Sequence, residues 1–133
     1  MRIFLDANII FSAAKSDGAI RQLLRLLFEK GHELVADDFV LEEARRNLAA
    51  KYASDESSVK ACFRVFSLPK SAPLPETLVL VEKDRPVLAS AIALRCDTLL
   101  TGYSMHLGHL LGIAIEGITI YSPRLLAELL IVP

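Results

Sequence analysis

Oxygen-bearing side chains recur where this 133-residue sequence leaves its short apolar runs. Asp6 follows Ile3-Phe4-Leu5, Asp37 and Asp38 follow Leu34-Val35-Ala36, and Thr101, Gly102, Tyr103 and Ser104 close a run that begins at Thr98. Asp84 stands two residues ahead of Pro86. Carboxylates suit hard cations such as Mg²⁺ or Mn²⁺ wherever several converge. Singly, each also has an ordinary structural use. Asp6 can close an Asx-type turn or a helix cap with Asn8. Glu43, beside Arg45 and Arg46 and one turn before Asn47, reads as a solvated helix residue. Asp84 ahead of a first-turn proline is what a capped helix start looks like.

The elements that must position these residues alternate between strand and helix patterns, the mark of parallel βαβ units. Ile3 to Leu5 suits a strand covered on both faces. Ile20, Leu23, Leu24, Leu27 and Phe28 recur at helical spacing, and Gly31 stands where a C-terminal cap belongs. After the strand at Leu34–Ala36, Asp37 or Asp38 caps a helix with Leu41, Ala44, Leu48 and Tyr52 on one face. Ser54 and Asp55 open another helix, with Val59, Cys62, Phe63 and Phe66 on one side, giving two antiparallel helices that project from the sheet. Pro69, Pro73 and Pro75 return the chain towards the sheet, and Leu78 to Val81 is a candidate strand. A helix from Pro86 buries Val87, Leu88, Ala91 and Ile92. Strands follow at Thr98–Thr101 and Ile118–Tyr121, and Ser122-Pro123 starts a last helix with Leu125, Leu126, Leu129 and Leu130. In an open parallel sheet the chemistry sits at the carboxyl ends of the strands. Asp6, Asp37, Asp38 and Thr101 to Ser104 fall there.

Bulk composition narrows the classes. The length suits one domain, residues 1–133, and a 53% apolar share is enough to cover both faces of a sheet. A formal net charge of −1 supplies no global basic field, so any nucleic-acid contact must be local. Arg21, Arg25 and Lys30 on one helix and Arg45, Arg46 and Lys51 on the next are the candidate positive patches, with solvated helix faces as the ordinary alternative. Cys62 and Cys96 lack metal-ligand spacing and read as buried free thiols on helix faces, which suits a reducing cytosol. The first residues run into a strand without the pattern of a secretory signal, and the apolar runs are too short for a membrane span. The expectation is a cytoplasmic protein without a membrane partner. A Rossmann-type nucleotide binder is disfavoured, because the turn Asp6-Ala7-Asn8-Ile9 has no Gly-x-Gly to admit a pyrophosphate.

Four fragments occur in order: Leu5-Asp6-Ala7-Asn8, Glu42 to Leu48, Asp84 to Ala91, and Thr101-Gly102. Together with the closing Ser122-Pro123-Arg124-Leu125-Leu126 they resemble the PIN domain, the ribonuclease fold of VapC-like toxins, over essentially the whole chain. The resemblance implies an α/β, three-layer PIN-like fold with a central parallel sheet flanked by helices. It implies a metal-dependent endoribonuclease, the toxin of a toxin-antitoxin pair, with RNA as substrate, an antitoxin protein as inhibitor and a homodimer as assembly. It assigns Asp6, Glu43 and Asp84 as catalytic residues and ligands of Mg²⁺ or Mn²⁺. Asn8 and Thr101 orient them, and Tyr103 and Ser104 lie within reach of site or substrate. One position departs from the family. After the Thr-Gly pair a fourth acidic residue is usual, and this chain has Tyr103, a phenol that stays protonated at neutral pH and ligates Mg²⁺ poorly. That substitution motivates an alternative, a catalytically impaired PIN fold that binds RNA or protein. Asp97 does not replace the missing carboxylate, since the resemblance puts it before the strand, at the opposite end of the sheet. His106 is a loop residue within reach of the site, and Met105 and His109 fit partial burial on a short helix.

Overall fold

The computed structural model describes residues 1–51, 64–66, 85–102, 112 and 114–131. In chain order these form β1 (Arg2–Leu5), α1 (Ala7–Lys15), α2 (Ala19–Glu29), β2 (Glu33–Asp37), α3 (Asp38–Lys51) and β3 (Arg64–Phe66). Then come α4 (Arg85–Ala93), β4 (Thr98–Leu100), β5 (Ala114–Ile115), β6 (Ile118–Tyr121) and α5 (Pro123–Leu130). The strands make one sheet in the order β3-β2-β1-β4-β6-β5. Every neighbouring pair is parallel except β5 with β6.

Successive strand residues point to opposite faces, and Ile3, Phe4 and Leu5 are all 0% exposed. Both faces of β1 are therefore covered by helices, which makes the fold a three-layer α/β sandwich. Leu34, Val35 and Ala36 of β2 and Leu99 and Leu100 of β4 continue the same contiguous core, and Leu126 anchors α5 to it. No helix among the described residues is long and apolar enough to cross a membrane.

Helix ends account for most of the boundaries. α2 stops in a Schellman turn: Gly31 lies at φ +89°, its amide donates to Phe28, and that of His32 donates to Leu27. α4 ends in the same motif without a glycine. Arg95 takes φ +55°, its amide donates to Ile92, and that of Cys96 donates to Ala91. Cys96 therefore lies past the helix, buried in the turn before β4, and not on a helix face as the sequence suggested. Burial pushes its thiol up to about 12, so it is a neutral free thiol. A two-residue turn, Glu116-Gly117, with both residues at positive φ, joins β5 to β6 in a short hairpin the hydrophobic pattern did not signal.

Further elements differ from the sequence reading. Phe66 belongs to β3, where it pairs with Asp37 of β2, and not to a helix begun at Ser54. Residues Ala7 to Lys15, assigned to no element from the sequence, form α1; Ala7, Ile9, Ile10, Ala13 and Ala14 make its buried face, and it packs against α3 and α2. Arg21 is no part of a basic patch. It is buried, and its guanidinium donates to the carbonyls of Ala13 (2.7 Å) and Ala14 (3.2 Å), closing the C-terminus of α1. In α5, Leu126 is buried whereas Leu125 and Leu129 are exposed.

Candidate functional site at the carboxyl edge of the sheet

The chain winds outwards from β1 through β2 to β3, then returns to place β4 on the other side of β1 and continues to β6. Its direction of winding reverses between β1 and β4. In open α/β sheets the crevice beyond the carboxyl ends at such a reversal is where ligands bind. Leu5 pairs with Leu100, so the next residues of the two strands, Asp6 and Thr101, face each other across this point. Phe4 pairs with Val35, and the same register carried two residues on sets Asp37 beside Asp6.

Asp6 is 4% exposed and Thr101 1%. The Thr101 hydroxyl donates to Asp6 Oδ2 at 2.8 Å, while the Ala7 amide donates to Asp6 Oδ1 at 2.7 Å. Asn8 completes the arrangement. Its carboxamide nitrogen lies 3.3 Å from Thr101 Oγ1 and 3.4 Å from Asp6 Oδ2, and its Oδ1 accepts the Gly102 amide at 2.7 Å. A Cβ on Gly102 would sit 3.2 Å from that Asn8 oxygen, so the glycine lets the strand exit close against the carboxamide. Donors on both oxygens fix the direction of the side chain, and a carboxylate oxygen has lone pairs enough to accept a hydrogen bond and ligate a cation.

Two aspartates thus begin helices side by side and are used differently. Asp37, also 4% exposed, takes the usual N-cap bond, from the Val40 amide at the third helical position, 3.0 Å. Asp6 receives the first amide of its helix and turns its second oxygen to Thr101. A side chain held off its ordinary cap by a partner 95 residues away is positioned by the tertiary fold.

Glu43 lies on α3, three residues after Val40 and one before Ala44, half-buried at the border of the stripe Val40, Leu41, Ala44 and Leu48. That stripe packs α3 against α1, the helix Asp6 begins. Glu42, Arg45, Arg46 and Asn47 are exposed. Arg25 is paired with Asp17 at 3.3 Å. Asp97 is far from this edge: its carboxylate accepts the Arg2 amide at 2.7 Å, at the amino end of β1, where the sequence put it. Asp84, Tyr103 and Ser104 lie outside the described residues, as do Tyr52, Cys62, Leu78 to Val81, Met105, His106 and His109. Among the described residues no three His, Cys, Asp or Glu side chains gather as a metal site. The described donors fit a hard cation in kind, since Asp6 and Glu43 carry carboxylate oxygen.

No family model and no characterised protein matches the chain in sequence. Solved structures do match it in shape, among them the following two. One is VapBC2 from Rickettsia felis, determined with a DNA fragment from its promoter, with a TM-score of 0.58 and 14% identity over 92% of this chain and 98% of the other. The second is a PilT N-terminus domain protein from Sulfolobus solfataricus P2, with a TM-score of 0.59 and 15% identity over 98% of this chain and 95% of the other. The chain has a PIN-type fold. At such identity the likeness fixes the architecture and leaves the chemistry to the residues. In this PIN-type fold Asp6, Asn8 and Thr101 meet at the reversal of winding, with Glu43 on the adjoining helix. Missing from the sequence reading was that the strands ending at Asp6 and Asp37 are neighbours, a signal available only from strand pairing.

Proposed function

We propose that this chain is a divalent-metal-dependent endoribonuclease, the toxin of a toxin-antitoxin pair, acting in the cytoplasm. The observation that carries the proposal is the buried Asp6 carboxylate, held by Thr101 and Asn8 at the point where a PIN-type sheet reverses its winding. Asp6, Glu43 and Asp84 would hold Mg²⁺ or Mn²⁺. Bound there, the cation lowers the pKa of a water and neutralises charge on a phosphodiester. The Thr101 hydroxyl and the Ala7 amide fix the direction of the Asp6 lone pairs, and Asn8 ties that carboxylate to the exit of β4. Because the net charge is −1, RNA would be gripped locally, with Arg45 and Arg46 exposed on the helix that bears Glu43. A small antitoxin protein covering the site and a homodimer complete the proposal, in keeping with the VapBC2 likeness.

Tyr103 favours a second reading, a PIN fold that binds RNA or protein and cuts nothing, because it stands where the family usually has a fourth acid. Digestion of a mixed single-stranded RNA pool under Mn²⁺ titration separates the two. The nuclease reading expects Mn²⁺-dependent cleavage by the natural chain, reduced by more than about 100-fold in Asp6→Asn. Cleavage unchanged in Asp6→Asn overturns it. Cleavage seen only in Tyr103→Asp selects the second reading.

A further inference from the structure

We infer that Asp37 is a positioning residue of the metal site, acting through Glu43; the inference rests on the nuclease reading above. Asp37 ends β2, the strand beside the one that Asp6 follows, and both side chains are 4% exposed. Each helix that leaves the sheet needs an acceptor for its first amides. Ser122 caps α5 without a charge, its Oγ accepting the Leu125 amide at 3.2 Å.

The task at α3 is stricter. Asp37 ends β2 and α3 begins at the next residue, with no loop between them, so the Asp37 Oδ1 bond to the Val40 amide sets the phase at which the helix leaves the sheet. Val40 is 0% exposed and begins the stripe that seats α3 on α1. Glu43 follows three residues later, on the same flank of the helix. The capped turn therefore ties Glu43 to the row that contains Asp6. Without the cap the start of α3 is free to shift where it leaves the sheet, and Glu43, in its second turn, shifts with it relative to α1 and Asp6.

The test measures Mn²⁺ affinity directly, by calorimetry or by the paramagnetic signal of free Mn²⁺, on the whole chain, in the absence of RNA. Asp37→Ala removes the acceptor and should weaken Mn²⁺ about 10-fold. Asp37→Asn and Asp37→Ser keep an acceptor and should restore affinity to within about 2-fold of the natural chain, since both are good N-caps. Ile120→Val, which thins the core under β6, controls for stability and should leave Mn²⁺ affinity unchanged. In a Glu43→Gln background, Asp37→Ala should have no further effect. Affinity unchanged in Asp37→Ala, or Asn and Ser variants as weak as Ala, overturns the inference. So does a full additional loss in the Glu43→Gln background, which would make Asp37 a direct ligand. A natural chain that binds no Mn²⁺, or binds it as well after Asp6→Asn, removes the metal-site reading itself and the inference with it.

Discussion

Replacing Thr101 with valine should destabilise the protein far more than replacing Thr98 with valine, although the two residues differ in little besides their partners. Each is 1% exposed; Thr98 begins β4 and Thr101 follows its last residue. The Thr98 hydroxyl reaches the sulfur of Met1 at 3.6 Å, a weak contact whose loss costs less than about 1 kcal/mol. The Thr101 hydroxyl donates at 2.8 Å to the buried Asp6 carboxylate, and a hydrogen bond to a charged group is worth about 1.5–3 kcal/mol. Valine keeps the β-branched shape and leaves that carboxylate short of one donor, so a loss of about 2 kcal/mol is expected for Thr101→Val. With a urea m-value of about 1.5 kcal/mol/M for a domain of this size, the midpoint should fall by about 1.3 M. The assay is urea unfolding at pH 7 followed by circular dichroism. A double-mutant cycle with Asp6→Asn isolates the pair and should return a coupling of about 1–2 kcal/mol. If Thr101→Val lies within about 0.5 kcal/mol of Thr98→Val, or if the cycle is additive, Asp6 is not held by this hydroxyl and the site geometry is wrong.

Other consequences follow from two buried groups. In a Cys62→Ser background, native Cys96 should resist a disulfide reagent at pH 8 until the chain is unfolded. A thiol with a pKa of about 12 presents on the order of 10³-fold fewer thiolates at pH 8 than one at the ordinary 8.5. The same shift predicts a pH dependence. Below about pH 8.5 the thiol is protonated in both states. Between there and about 12 the unfolded chain has released a proton that the native chain keeps, so stability should fall as pH rises through that window. Arg21→Ala should cost about 2–3 kcal/mol, because it leaves the Ala13 and Ala14 carbonyls without their buried donor. Arg21→Lys should recover only part, since an ammonium cannot span two carbonyls as the planar guanidinium does; thermal unfolding of the three proteins ranks them.

Much of the architecture was legible because it depends on local patterns. The continuous apolar run of β1, the α2 stripe ended at Gly31, and the Ser122-Pro123 start of α5 each carry their cause within a few residues. α1 was not legible. Ile9, Ile10 and Phe11 suit a strand as well as a helix, and burial against α3 decides between them. Phe66 satisfied a helical stripe on paper, yet a free edge of β2 pairs with it instead. Arg21 looked like surface charge because a sequence does not display the two carbonyls of α1 that its guanidinium meets.

At the site the same division holds. Residue types alone put Asp6 and Thr101 at strand exits, which are local events, but left Asp6 a turn residue and Glu43 a solvated one; the resemblance carried by the ordered fragments is what singled out Asp6, Asn8, Glu43 and Thr101. That the Thr101 hydroxyl should meet the second oxygen of Asp6 while the first keeps the Ala7 amide, and that Asp37 should cap the helix after the adjoining strand, came only from tertiary structure. Register between strands 31 and 95 residues apart sets those neighbours, and register is fixed by how the whole core packs.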